Sequence, residues 1–268
     1  MVYHASLIVS PTKAVLPSSL NAAIVKICSE AIAARGVFTI ALSGGSLPGF
    51  LAEMKESFAT TSIDPFFDKW HVILADERCV PSTDPDSNLG ALNATLFSSI
   101  AVPQSQIYGI NESQLGDSAA IATEYEGTIR TVLAKSAGQL DLAVLGFGPD
   151  GHTCSLFPDH PLLEEQIKWV AAIDDSPKPP AQRITLTYPV LNKQTRHVIF
   201  CGAGNSKAPI LQGIFETVTA DGVDGTYKVT MTKSAPYPCA GVLPDSADVE
   251  NTLIYVVDQD AMEGVLIH

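Results

Sequence analysis

The chain is short of basic residues. Lys and Arg total 16 against 29 Asp and Glu, a net charge of −13, and so acidic a protein is poorly suited to nucleic acid, whose phosphates favour basic patches. Small anionic ligands stay possible, because screening over roughly 8 Å at physiological salt lets a local basic pocket act independently of the overall charge. Cysteines are few and odd in number: Cys28, Cys79, Cys154, Cys201 and Cys239, with no CxxC pair. That pattern fits neither a disulfide framework nor a zinc knuckle and points to a reducing compartment. No apolar run approaches the ~18 residues that cross a bilayer. The segment Met1-Val2-Tyr3-His4-Ala5 lacks the basic stretch and long apolar run of a signal peptide, and Val265-Leu266-Ile267-His268 is no retention or peroxisomal tail. A cytoplasmic protein with no membrane partner is the expectation.

What is present is ordinary globular composition. Over 268 residues, 46% are hydrophobic and 17% charged, enough apolar material for one large domain or two small ones. Short apolar runs at 37–42 (VFTIAL), 71–75 (HVILA), 140–145 (LDLAVL), 197–201 (HVIFC) and 253–257 (LIYVV) predict buried strands. Between them, Leu20, Ile24, Ile27, Cys28 and Ala31 share one helical face, with Ser18 or Ser19 as cap and Gly36 as stop. Ile121, Tyr125, Val132 and Leu133 mark a second helix, opened by Asp117 and closed near Gly138. Alternating strands and helices predict an α/β fold: a Rossmann-like, mostly parallel sheet covered by helices on both faces. Asp175-Ser176-Pro177-Lys178-Pro179-Pro180 is the best linker candidate, and it reads as a long loop within one domain spanning 1–268.

Ligands of open parallel sheets bind beyond the carboxyl ends of the strands, and here several predicted strands end in polar groups. The first ends in Ser43-Gly44-Gly45-Ser46 before a predicted helix. Two glycines, two hydroxyls and a helix N-terminus suit a phosphate; a tight, serine-capped turn would need the same residues. The second ends in Asp76-Glu77-Arg78, either a sugar- and anion-orienting group or a surface ion-pair cluster, with Asp86-Ser87-Asn88 starting a helix nearby. The fourth ends in Gly202-Ala203-Gly204-Asn205-Ser206-Lys207. A lysine in the first turns of a helix is mismatched with the dipole, which an anionic ligand would explain. Arg183 opens a further strand, Arg183-Ile184-Thr185-Leu186-Thr187, and is another candidate for the same anion.

The third ends in Gly146-Phe147-Gly148-Pro149-Asp150-Gly151-His152. Formally this is the G-x-G-x-x-G of a dinucleotide site, with Asp174 and Asp175 at the distance of a ribose-binding acid. Pro158 and Pro161 interrupt the stretch that should be the following helix, however, and the motif comes after several elements rather than opening the domain. What remains is a glycine-rich turn presenting Asp150 and His152. Imidazole takes a proton from water near neutral pH, so His152 beside an acid is a candidate general base. Cys154 reads as a small buried residue rather than a nucleophile.

Taken together, Leu42-Ser43-Gly44-Gly45-Ser46, Asp76-Glu77-Arg78-Cys79-Val80-Pro81 with Asp86-Ser87-Asn88, and the run from Gly148 to Pro158 resemble the 6-phosphogluconolactonase family. Arg183 to Thr187 and Gly204-Asn205-Ser206-Lys207 look like the same family, so the resemblance extends from Ser43 to Pro244. It departs at Leu47 and Cys154, where the family commonly has Thr and Ala. The resemblance implies a fold shared with glucosamine-6-phosphate deaminases and ribose-5-phosphate isomerases, including a smaller added layer. It implies a role in the oxidative pentose phosphate pathway, a phosphosugar lactone as substrate, no metal or organic cofactor, and a monomer or weak homodimer.

On that reading His152 activates water and returns the proton to the leaving alkoxide, with Asp150 or Asp76 orienting it. Ser43, Gly44, Gly45, Ser46, Asn88, Arg183, Lys207 and Arg78 bind substrate. Arg78 or the amides of the Gly146–Gly151 turn face the oxyanion. The rivals are a glucosamine 6-phosphate deaminase or aldose–ketose isomerase, a nicotinamide-dependent oxidoreductase, and a sugar-phosphate sensor without turnover. The deaminases resemble Gly-His followed by Ala-Phe-Asn-Glu-Pro; here Thr153-Cys154-Ser155-Leu156-Phe157-Pro158 lacks the Glu.

Overall fold

The computed structural model of the protein describes residues 3–232, 235–245 and 252–268. In chain order the strands and α-helices are β1 (Tyr3–Ser10), α1 (Leu16–Arg35), β2 (Phe38–Leu42), α2 (Leu47–Phe50), α3 (Met54–Thr61), β3 (Trp70–Leu74), β4 (Asp76–Arg78), α4 (Asn88–Ala94), β5 (Ile107–Tyr108), α5 (Ser118–Ala134), β6 (Leu140–Gly146), β7 (Val170–Ile173), β8 (Arg183–Leu186), α6 (Tyr188–Lys193), β9 (Thr195–Gly202), α7 (Ala208–Ile214), β10 (Phe215–Ala220), β11 (Thr226–Met231) and β12 (Leu253–Asp258). All five apolar runs form strands, each within one or two residues of its predicted bounds.

The nine-stranded sheet runs β10-β11-β1-β12-β9-β6-β2-β3-β5. From β1 to β5 every neighbouring pair is parallel, while β11 pairs antiparallel with β1 and β10. The central strands carry side chains buried on both faces, as a helix-flanked parallel sheet requires: all five residues of β2 are buried, as are the first six of β6. From β2 the chain builds outward through β3 to β5, then returns to place β6 on the other side of β2 and continues outward through β9 to β12. The direction of winding therefore reverses between β2 and β6. A crevice opens there beyond the strands' carboxyl ends, the usual ligand position in such sheets.

A separate three-stranded antiparallel sheet, β4-β8-β7, forms the smaller layer. The Arg183 strand belongs to this layer and not to the main sheet. The candidate linker is the loop of the β7–β8 hairpin. One hydrophobic cluster joins the elements, from Leu7 of β1 through Trp70 and Val144 to Tyr255 of β12, and takes in Ile184 and Leu186 of the small sheet.

Local signals explain most boundaries. Asp117 accepts the Ala120 N–H and so caps α5 as predicted, and Gly138 (φ +81°) closes the turn after it. Gly36 (φ +71°) ends α1 by donating to Ile32 O. The expected serine cap of α1 is absent. The helix begins earlier, at Leu16 with Pro17 in its first turn, where a missing N–H costs nothing, so Ser18 and Ser19 lie inside it.

Candidate active site

The carboxyl ends of β2, β6 and β9 open into a pocket of about 290 Å³. It is lined by Ser43, Gly44, Gly45, Ser46, Asp76, Arg78, Asn88, His152, Arg183 and Lys207, among others. Every expected site residue except Asp150 is thus on its wall, and Asp150 touches His152.

After β2, Ser43 donates its N–H to Val144 O, tying the turn to β6. Its Oγ is buried without a hydrogen-bond partner, within reach of the Cys154 thiol. Gly44 is required by contact: a Cβ there would fall 1.7 Å from Asn88 Oδ1. The helix expected to direct its N-terminus at this spot is the single turn α2, four residues long. Its dipole is correspondingly small, so the polar groups of the turn itself are what a ligand would meet.

Asp76 and Arg78 begin and end β4. Asp76 is buried, accepting a hydrogen bond from Ser155 Oγ at 2.8 Å, while its backbone oxygen accepts from Asn88 Nδ2 at 2.8 Å. Asn88 therefore fixes Asp76 as well as lining the pocket. Glu77 faces away from ligand chemistry: its carboxylate accepts the N–H groups of Arg78, Asn88 and Leu89 and the Ser87 hydroxyl. It holds the start of α4 against β4. The Arg78 guanidinium donates to Asp86 O, and its Nε is buried with no partner. A buried, unmatched donor is costly unless something else satisfies it.

Beyond β6 the glycine-rich turn closes on itself. Gly148 donates to His152 O at 2.8 Å and Gly151 to Gly148 O at 3.0 Å. Those amides are therefore not available to an oxyanion. A Cβ on Gly148 would lie 2.1 Å from His152 Nδ1, so the turn brings backbone against imidazole as only glycine allows. No helix follows, only a Thr153–Leu156 bridge and a short 3₁₀ turn at Pro161–Glu164. The dinucleotide-loop geometry is absent, as the prolines imply.

Asp150 Oδ1 lies 2.5 Å from His152 Nδ1, and the imidazole stacks on Phe157 with ring centroids 5.0 Å apart. Of the two acids considered, Asp150 is the one in contact with the histidine. Donation from Nδ1–H to Asp150 leaves the lone pair on Nε2, the nitrogen a base would use. Burial lowers the imidazole's proton affinity; Asp150 raises it in part, and Lys178 lowers it again. Burial alone would raise the Asp150 carboxyl, but the hydrogen bond and charge of His152, with Lys178, hold it well below the usual carboxylate range.

Lys178 is the residue that sequence reasoning missed. Its ammonium lies 3.0 Å from His152 Nδ1 and 3.1 Å from Asp150 Oδ2. It sits in the Pro-rich stretch that reads as a long loop, and a lone cation between prolines is the available signal. Lys13, after β1, also lines the pocket and carried no motif. Lys207 ends a 3₁₀ turn, Asn205–Lys207, directly before α7, and its ammonium donates to Phe147 O at the pocket wall. Burial and then Lys178 lower its proton affinity.

Arg183 lines the pocket too, but most of its guanidinium is committed elsewhere, Nε to Pro180 O and one terminal nitrogen to Lys178 O and Pro179 O. It grips the β7–β8 loop with Nε and one terminal nitrogen, while the other terminal nitrogen has only a long 3.4 Å contact to Ser155 Oγ. Cys154 is buried, and burial pushes its thiol well above the ordinary range, which suits packing rather than nucleophilic attack. Among the described residues no three His, Cys, Asp or Glu side chains cluster as metal ligands.

Residues 11–250 match the family described as glucosamine-6-phosphate isomerases/6-phosphogluconolactonase. The chain is 41% identical over 209 residues to "Probable 6-phosphogluconolactonase 3, chloroplastic" of Oryza sativa subsp. indica, the match covering 75% of this chain and 62% of that protein. It is 44% identical over 184 residues to human 6-phosphogluconolactonase, covering 68% of this chain and 70% of that one. The solved 6-phosphogluconolactonase of Trypanosoma cruzi superposes with a TM-score of 0.78 at 23% identity, over 99% of this chain and 98% of that chain, a likeness of fold. The chain spans less than two thirds of the length of the rice relative. The chain belongs to the glucosamine-6-phosphate isomerase/6-phosphogluconolactonase family.

Proposed function

We propose that the protein hydrolyses 6-phospho-D-glucono-1,5-lactone to 6-phosphogluconate in the oxidative pentose phosphate pathway, with His152 as general base. The observation that carries this reading is the Asp150–His152 pair, 2.5 Å apart, at a pocket that also holds Arg78 and Lys207. Relatives named 6-phosphogluconolactonase, human and rice among them, support the substrate.

Lactone hydrolysis needs a held substrate, an activated water, a stabilised oxyanion and a proton for the leaving ring oxygen. Lys207 and the Ser43–Ser46 turn, with the Ser43 hydroxyl unmatched, hold the phosphate and supply binding energy remote from the reacting carbon. Asn88 and Asp76 face the sugar hydroxyls. His152 takes a proton from water as the oxygen attacks C1, and Asp150 stabilises the imidazolium so formed. The tetrahedral oxyanion needs a donor in place beforehand. Arg78 Nε, buried and unmatched, suits it better than the Gly148 and Gly151 amides, which already donate within the turn. Collapse breaks the bond from C1 to the ring oxygen, which takes the proton back from His152.

The reading treats residues 1–268 as one catalytic domain, acting in the cytoplasm as a monomer or weak homodimer without metal, organic cofactor, nucleic acid or membrane. A deaminase or isomerase would move a proton between carbons with a second acid–base group; among the described lining residues Asp76 is the one carboxylate, it already accepts from Ser155 Oγ, and no Glu is present. Proton release on mixing the protein with freshly generated 6-phosphogluconolactone, with glucosamine 6-phosphate as comparison, tests the reading. Release above the spontaneous rate with the lactone alone is expected; turnover of the amino sugar instead would overturn it.

A further inference from the structure

Two observations about the β7–β8 loop belong together. Lys178, on that loop, places its ammonium within hydrogen-bonding distance of both members of the Asp150–His152 pair. Arg183, at the start of β8, binds three successive carbonyls of the same loop: Lys178 O at 2.8 Å, Pro179 O at 3.0 Å and Pro180 O at 2.9 Å. Ser176 adds a fourth tie, its hydroxyl donating to Lys178 O at 2.8 Å. The loop is thus fastened at the residue whose side chain reaches the pair.

Nδ1 of His152 cannot donate to Asp150 and accept from Lys178 at once. A carboxylate oxygen 2.5 Å away places the proton on Nδ1, so Lys178 donates to the other carboxylate oxygen, Oδ2, and its ammonium stands 3.0 Å from the ring nitrogen. The charged groups facing His152 are Asp150 from its own turn, Lys178 from the β7–β8 loop and Asp76 from the start of β4. Arg78, Arg183 and Lys207 share the pocket, and Phe157 covers the ring face. Burial disfavours the imidazolium, Asp150 and Asp76 favour it, and Lys178 opposes those two carboxylates.

We infer that Lys178 is a positioning residue for the Asp150–His152 pair: its ammonium anchors the Asp150 carboxylate and biases the imidazole toward the unprotonated form, and Arg183 fixes the loop that carries it. The inference rests on His152 serving as the base of the proposed hydrolysis, and it adds a third member to that pair.

The test is the titration of the His152 imidazole, followed by NMR in the ligand-free protein, for wild type, Lys178→Met, Lys178→Gln and Lys178→Arg. Neutral replacements should raise the midpoint by about one pH unit, a usual effect of a charge at this range, and Lys178→Arg should restore it. The acid limb of kcat/KM for the lactone should move to higher pH by the same amount. An unmoved His152 midpoint in either folded neutral variant overturns the inference. If wild type does not turn over the lactone, the proposed activity fails, while the NMR midpoints still decide what Lys178 does to His152.

Discussion

Two aspartates flank the same strand and do opposite things. Asp141 lies near the start of β6, and Asp150 lies just past its end. Asp141 is fully buried, and its carboxylate is saturated: Arg35 at 2.7 Å, Arg196 at 3.0 Å, the Ser136 hydroxyl, and the N–H and hydroxyl of Thr39. Those partners come from α1, β2, β9 and the turn after α5, so one carboxylate ties the amino end of the sheet together. Asp150 is partly exposed and has two partners, His152 and Lys178, beside an open pocket. A carboxylate with every acceptor site filled has no capacity left for a ligand. One that holds a histidine next to empty space still has chemistry to perform.

That contrast can be broken by substitution. Asp141→Ala leaves the partly exposed Arg35 and Arg196 without their carboxylate and should cost about 3 kcal/mol in urea unfolding, the low end of the range for removing one partner of a buried ion pair, with kcat of the folded fraction nearly unchanged. A large loss of kcat at full stability would show that the amino end also shapes the pocket. Lys207→Met acts at the other end and should raise KM by about tenfold or more, since a hydrogen bond to a charged group contributes about 1.5–3 kcal/mol; steady-state kinetics with kcat lowered and KM unchanged would remove Lys207 from phosphate binding. The smallest effect is on pH dependence. Burial lowers the imidazole below its ordinary 6.5, and a base must be unprotonated, so kcat/KM should persist as pH falls past 6.5 and decline only through the lower, folded value. Asp150→Asn removes a group that raises that value and should move the limb lower still; a shift to higher pH would contradict the assignment.

The fold was largely legible, because a parallel sheet buried on both faces leaves continuous apolar runs such as FTIAL and LDLAVL. Strands β1, β10 and β11 were less so. In β10 (Phe215–Ala220) only Phe215 and Val218 are buried, so its apolar content is sparse. The serine cap of α1 misled because Pro17 at the first turn was the stronger start signal. The site was legible wherever polar residues end an apolar run, at Ser43, Asp76, His152 and Lys207. It was illegible where a contact is made only in the fold: nothing near Lys178 spells out Asp150, and nothing near Arg183 shows that it also holds the carbonyls of the β7–β8 loop. Asp141, inside the apolar run LDLAVL, and Asp150, in the glycine-rich turn, differ already in sequence, and their partners in the fold explain the difference.

The central claim is that His152 activates water. Turnover of freshly generated 6-phosphogluconolactone by His152→Ala, compared with wild type at saturating substrate, tests it most directly. The expected result is a fall in kcat of about 10²- to 10⁴-fold, the usual contribution of a general base, with KM changed little. Wild-type kcat in the folded variant would contradict it.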